Sequence, residues 1–159
     1  MAVQSGSPNT KQYRQRLAEI LNTIVDCNVV RAPLTGVSNA PFWVIGRPSI
    51  TFGKVTMQEH YWRYSLRFFL GREFQGNNNT IGLADNIDDD IDNVARYFQD
   101  RAKFVSSSFG QDQPGYIPSS LTLTVNGTDS YPLSINASIL GSSYDLAWAH
   151  RVIYTPPYN

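Results

Sequence analysis

The chain reads as an α+β fold: a mainly antiparallel β-sheet with two principal helices packed on one face. Three observations predict it. Residues 59–74, EHYWRYSLRFFLGREF, alternate at period two, with Trp62, Tyr64, Leu66, Phe68 and Leu70 on one face and Tyr61, Arg63, Ser65, Arg67 and Phe69 on the other. Alternation of this kind belongs to a β-strand with one face on a core. Two other segments, 10–25 and 86–105, instead space their apolar residues by three and four, the signature of amphipathic helices. The last third of the chain, 120–155, returns to alternation and reads as several more strands. With 159 residues, a single domain spanning 1–159 is expected, with a flexible lead over 1–9 and an extended tail over 156–159.

The elements are justified in order. Pro8 with Asn9 and Thr10 supplies helix-start chemistry. Behind it Tyr13, Leu17, Ile20, Leu21 and Ile24 form the stripe of the first helix. Residues 27–41, punctuated by Pro33, Gly36 and Pro41, read as loop. The apolar run Phe42–Ile45 suits a strand covered on both sides, and Pro48, lacking a ladder donor, marks a strand end, bulge or edge. Residues 50–55 and 61–70 then pair as a long hairpin turning near Thr56–Gln58. Residues 71–85 are polar and glycine-rich and read as a connection. A second helix is expected from about 85 to 105, with Ile87, Ile91, Val94, Ala95, Phe98, Ala102 and Val105 as its stripe. Asp88, Asp89, Asp90 and Asp92 would sit in its first turns, where the helix dipole favours anions. Serines, glycines and Pro114 end it, and strands over 120–125, 131–139 and 144–155 complete the sheet, the first two joined through Asn126–Gly127.

Composition narrows the function. Lys+Arg and Asp+Glu are equal at 13 each, which gives no long-range attraction to a polyphosphate. Charged residues are 16% of the chain and aromatics 13%, a balance that implies either a generous core or surface that other subunits cover. Cys27 is alone, so neither an internal disulfide nor a thiolate cluster is available. The sequons at Asn78, Asn126 and Asn136 would matter only in a secretory pathway, and the N-terminus shows no hydrophobic signal core. No apolar run is long enough to span a bilayer, so no membrane role is expected.

Candidate chemistry is sparse, and no catalytic, cofactor-binding or metal residues are assigned. Asp88, Asp90 and Asp92 imitate the start of a calcium loop, but the sixth and twelfth positions hold Asn93 and Gln99 where glycine and an acidic ligand are required. His60 and His150 lack an activating context, even with Ser143 and Asp145 near the latter in sequence. Cys27 follows an apolar helix end and reads as a small buried hydrophobe. Lys11, Arg14 and Arg16 read as a solvated helix face rather than a nucleic-acid site. Tyr61, Arg63, Arg67 and Phe69 remain the notable group, because arginine and aromatics enrich protein interfaces. The two arginines admit three roles: ordinary solvent-facing positions, pairing with carboxylates of a neighbouring subunit, or lining of a central opening.

The order of elements resembles the tail-terminator family of long-tailed bacteriophages, also called tail-completion or head–tail joining proteins. The carrying features are the helix over 10–25, the Pro-Phe-Trp-Val-Ile-Gly-Arg-Pro segment at 41–48, the strand over 61–70, the helix over 86–105 and a closing strand ending in Tyr-Thr-Pro-Pro. The resemblance spans about residues 10 to 155 and rests on layout, since the family has no invariant catalytic signature. It implies a homo-hexameric ring that caps the phage tail tube and stops its polymerisation. The ring presents a surface to the head-side neck or connector protein, and DNA passes through without sequence-specific binding. It also implies no enzymatic activity, no cofactor, and a place in the virion tail or neck after assembly in the host cytoplasm. Other neck or tail components, such as a stopper or a tube-related protein, are the alternative, and a small ligand-binding or enzymatic α+β domain is a further one. Residues 71–85 are expected to be mobile in the free subunit and to order against a ring partner, with Arg72, Glu73, Asn77, Asn78 and Asn79 as contact residues.

Overall fold

The computed structural model describes residues 3–5, 7–30, 41–73, 80–99, 109–110, 112–126 and 139–155. Its elements run β1 (Val3–Ser5), α1 (Thr10–Ile24), β2 (Asn28–Val30), β3 (Phe42–Ile45), β4 (Ser49–Lys54), β5 (Glu59–Glu73), α2 (Thr80–Gln99), β6 (Tyr116–Val125) and β7 (Ile139–Thr155). The strands form a seven-stranded sheet, antiparallel except where β2 lies parallel beside β3. The fold is α+β.

Alternation dictates the spine. β5 and β7 pair without interruption from Glu59 opposite Ile153 to Glu73 opposite Ile139. Register partners share a face, so Tyr64 meets Trp148 and Phe68 meets Tyr144. Both pairs stack, with centroids 4.9 and 5.0 Å apart. The other flank of β5 is shared by β3, opposite its C-terminal half, and β4, opposite its N-terminal half. Between them the chain turns a corner at residues 46–48, where Gly46 N–H still donates to the Arg67 carbonyl (2.9 Å) and Pro48 has no donor to offer. β7 likewise carries β6 and β1 on its far flank.

The helices cover one face. Asn9 caps α1, its Oδ1 accepting from Gln12 N–H (3.1 Å), and the stripe Tyr13, Leu17, Ile20 and Leu21 is buried. From α2 come Val94 and Phe98, meeting Trp43, Tyr64, Leu66, Phe68, Leu70, Tyr144, Leu146 and Trp148 of the sheet, and Ile87 is buried as well. The run Phe42–Ile45 is buried at Phe42, Trp43 and Ile45, as its apolar continuity demands.

Four expectations are corrected. Val3–Ser5, inside the expected flexible lead, adds a strand along Ile153–Thr155, where the end of β7 offers unpaired backbone groups. Asn28–Val30, inside the expected loop, pairs with Phe42–Val44 for the same reason. The polar connection is shorter than 71–85: β5 continues to Glu73 and α2 begins at Thr80, Gly82 notwithstanding. The aspartate run therefore lies well inside α2 and not in its first turn, which holds no acidic residue, so the dipole does not account for it. Of the remaining expectations, the strand over 131–138, the end of the second helix over 100–105 and the tail over 156–159 fall outside the described residues. β6 takes β7 as its partner.

Candidate assembly surface

The face of β5 turned away from the helices carries Tyr61, Arg63, Ser65, Arg67 and Phe69, as the alternation requires. The structure gives these side chains different tasks. Arg67 clasps Asp145, its register partner on β7, through Nε to Oδ1 (2.9 Å) and Nη2 to Oδ2 (3.3 Å). Asn126 Nδ2 adds a third bond to the same carboxylate at 3.0 Å, and Arg67 first, then Asn126, holds Asp145 below the usual aspartate range. Tyr61 donates its hydroxyl to Glu59 Oε1 (2.6 Å), which also takes Arg151 Nε at 2.8 Å, so Tyr61 is anchored within the chain. Phe69 is buried, as are Phe42, Ser143 and Gly141 on the same face. Arg63 is different: it is exposed and makes no hydrogen bond or ion pair among the described residues. Its strand neighbours Thr51 and Ala149 are small, and its guanidinium carbon lies 3.9 Å from where a Cβ on Gly53 would sit. Of the four residues singled out on this face, Arg63 alone is poised to meet something outside.

The connection residues separate as well. Arg72 is not in a loop. It extends β5 on the helix side, where Nε and Nη2 reach Asp90 Oδ2 and Oδ1 at 2.6 and 2.8 Å. Asp90 is only 3% exposed, so this is an internal clamp between sheet and α2, and the carboxylate keeps the guanidinium firmly charged. Arg72 is thereby withdrawn from the proposed partner loop. Glu73 ends β5, opposite Ile139, and Asn77, Asn78 and Asn79 lie outside the described residues.

Reading the sequence for chemistry missed the most exposed apolar side chains among the described residues. Phe52, Val55 and Met57 are 67%, 63% and 71% exposed along the β4–β5 hairpin. Phe52 stands edge-on to Trp62 (centroids 4.9 Å), a half-buried residue that packs against the core. At the tip Val55 and Thr56 N–H both donate to the Glu59 carbonyl, at 3.0 and 3.3 Å, and Thr56 Oγ1 accepts from Gln58 and Glu59 N–H. The tip is therefore ordered by polar bonds while Val55 and Met57 stay exposed, and Phe52 lies on the helix-side face at the margin of the core. Apolar residues on both sides of a predicted turn were the available signal.

The remaining reactive groups sit in structural positions. His150 is wholly buried, with Nδ1 2.6 Å from the Tyr13 hydroxyl, and burial drives that phenol's pKa upward. β7 alternation places Ser143 and Asp145 on the face opposite His150, so the three form no relay. Burial pushes the Cys27 thiol up to about 11, which leaves little thiolate at neutral pH. Among the described residues, no three His, Cys, Asp or Glu side chains gather to hold a metal, and no helix is long and apolar enough to cross a membrane.

Set beside known families and characterised proteins, the chain matches no family model and no curated sequence.

Proposed function

We propose that the protein is a structural virion component, a tail-terminator-like subunit that forms a homo-hexameric ring on the end of a phage tail tube. The ring halts tube growth and joins the tail to the head-side connector. It performs no reaction, and DNA passes through it without being read. The observation that carries this reading is the β4–β5 hairpin, which holds Phe52, Val55 and Met57 in water. Apolar side chains held out from a well-ordered fold mark a surface that another protein covers, and a flexible thioether at its centre suits such a contact. The outer sheet face supports it too. Arg67 and Arg151 are compensated by Asp145 and Glu59, leaving a nearly neutral surface of small side chains around Arg63.

The test is the mass of the purified chain by native mass spectrometry and light scattering over a concentration series, with and without tail tubes. Hexamers, alone or on tube addition, are expected, and Val55→Glu with Met57→Glu is expected to keep the chain monomeric while circular dichroism stays unchanged. A wild-type chain that remains monomeric throughout and ignores tubes overturns the reading. Binding to the connector but not to the tube would reassign it to another neck component.

A further inference from the structure

A cleft of about 460 Å³ opens between the first turn of α1 and the β3–β4 corner, lined by Thr10, Lys11, Arg14, Arg47, Pro48 and Ile50. Three of these six are cations and none is acidic. Arg14 is built into the wall: Nε donates to the Gly46 carbonyl and Nη2 to the Ile45 carbonyl, each at 3.2 Å. Lys11 and Arg47 flank it, exposed, with no hydrogen bond or ion pair among the described residues. The start of α1 adds the positive end of its dipole to the same opening.

The opposite charge lies on α2. Asp85, Asp88, Asp89 and Asp92 recur at steps of three and four, so they form one exposed stripe, and none has a partner among the described residues. Asp90, which falls off that stripe, is the member turned inward to Arg72. Like charges three and four apart oppose helix formation, and here the helix start is too far away to compensate them. Arg96 continues the stripe four residues past Asp92 but makes no ion pair with it among the described residues, so four carboxylates against one guanidinium leave the stripe acidic and suited to a cationic partner.

That partner is not the chain's own cleft. The C-terminal third of α2 packs beside the far end of α1, where Thr23 and Ile24 share a cleft with Asn93, Arg96 and Tyr97. The basic cleft is at the other end of α1, and a helix of 15 residues is about 22 Å long. The length of α1 exceeds the screening length at physiological salt, and Asp90, within the aspartate run, is held at that far end by Arg72, close enough to act on Cys27. The two patches are different surfaces on opposite ends of the helical layer. No ion pair joins them within the chain among the described residues, whereas one copy's α2 reaching the next copy's cleft is a head-to-tail contact of the kind that closes rings.

Resting on the ring reading above, we propose that the Asp85–Asp88–Asp89–Asp92 stripe of one subunit docks in the Lys11–Arg14–Arg47 cleft of its neighbour, setting the direction and register of the ring.

The experiment uses Lys11→Glu with Arg47→Glu and, separately, Asp89→Lys with Asp92→Lys, leaving Arg14 in place because it holds the corner. Folding is checked by circular dichroism and assembly is followed by native mass spectrometry at about 50 mM salt, where exposed charge pairs act strongly. Each reversed variant alone is expected to weaken the subunit contact about tenfold or more. An equimolar mixture should assemble again, because the acidic cleft of one variant then faces the basic stripe of the other, and recovered rings should contain equal numbers of each. Wild-type rings with variants that assemble equally well, or a mixture that fails to recover, overturn the docking while leaving the ring standing. Variant rings that form normally but no longer seat on tail tubes assign the cleft to the tube and overturn it too. If the wild-type chain never assembles, ring and docking fall together.

Discussion

Two guanidinium–carboxylate clamps leave β5 in opposite directions. Arg67 grips Asp145 on the outer face, and Arg72 grips Asp90 on the helix side, each through Nε and Nη2. Their geometries are alike, yet their surroundings are not: the Arg72 and Asp90 side chains are 22% and 5% exposed, against 60% and 35% for Arg67 and Asp145. In water the outer pair competes with solvent and salt, while the inner carboxylate is nearly closed off from both and its guanidinium only partly open to them. The same pair of residue types thus tidies a surface in one place and pins a helix to a sheet in the other.

The contrast is tested first at Asp90. Asp90→Ala strands the Arg72 guanidinium under α2 and is expected to cost about 3–5 kcal/mol, read as a lowered denaturant midpoint at constant slope. A loss below about 1 kcal/mol would erase the difference between the two clamps. The sharper variant replaces both partners, Arg72→Met with Asp90→Leu. Removing the buried charges together is expected to leave stability within about 1 kcal/mol of wild type or to raise it, because the penalty lies in an unpaired charge and not in the absence of the pair. Tyr13→Phe supplies a neutral buried comparison: it removes the 2.6 Å bond to His150 and should cost about 1–3 kcal/mol.

The smallest effect belongs to the outer clamp. Asp145→Asn is expected to cost less than about 1 kcal/mol and to lose even that near 1 M salt. Its pH dependence has a fixed sign. Arg67 lowers the folded-state pKa of Asp145, so the contribution is complete above the ordinary aspartate value of about 3.9 and disappears as pH falls through the lower folded value. Wild type and variant should therefore converge in stability on acidification below about pH 4, measured by urea denaturation at each pH.

How far these features were legible depends on the distance over which each is decided. Alternation in β5 and the spacing of α1 announce their own faces, because Tyr64, Leu66 and Phe68 or Tyr13, Leu17 and Leu21 answer to local periodicity. The partner of Arg67 is 78 residues away, and nothing near Arg67 names Asp145. Asn77–Asn79 and Gly82 look like connection in the sequence, which puts the helix start near Asp85; with α2 beginning at Thr80 the aspartate run lies too deep in the helix for its dipole to explain. Strands as short as Val3–Ser5 and Asn28–Val30 carry too few residues for a period and exist because longer strands offer them an edge. Of the candidate site, the Arg/aromatic face was legible as a face. The burial of Phe69 and the clamping of Arg67 were not, because both depend on what packs alongside. The exposed hairpin was visible as a turn but not as an unburied one.

The β5–β7 spine also sets the order of events when the chain is made. β4 and β5 are neighbours in sequence and can pair as soon as both are synthesised, but β7 is the last described strand and is the only one that joins β5 to β6 and β1. Contacts this distant along the chain are the slow ones in folding. At a synthesis rate of about 5–20 residues per second, β5 waits several seconds with its β7 edge unmet. During that interval the nascent chain shows a long aromatic strand to its surroundings, and the arrival of the final strand both completes the sheet and removes that hazard.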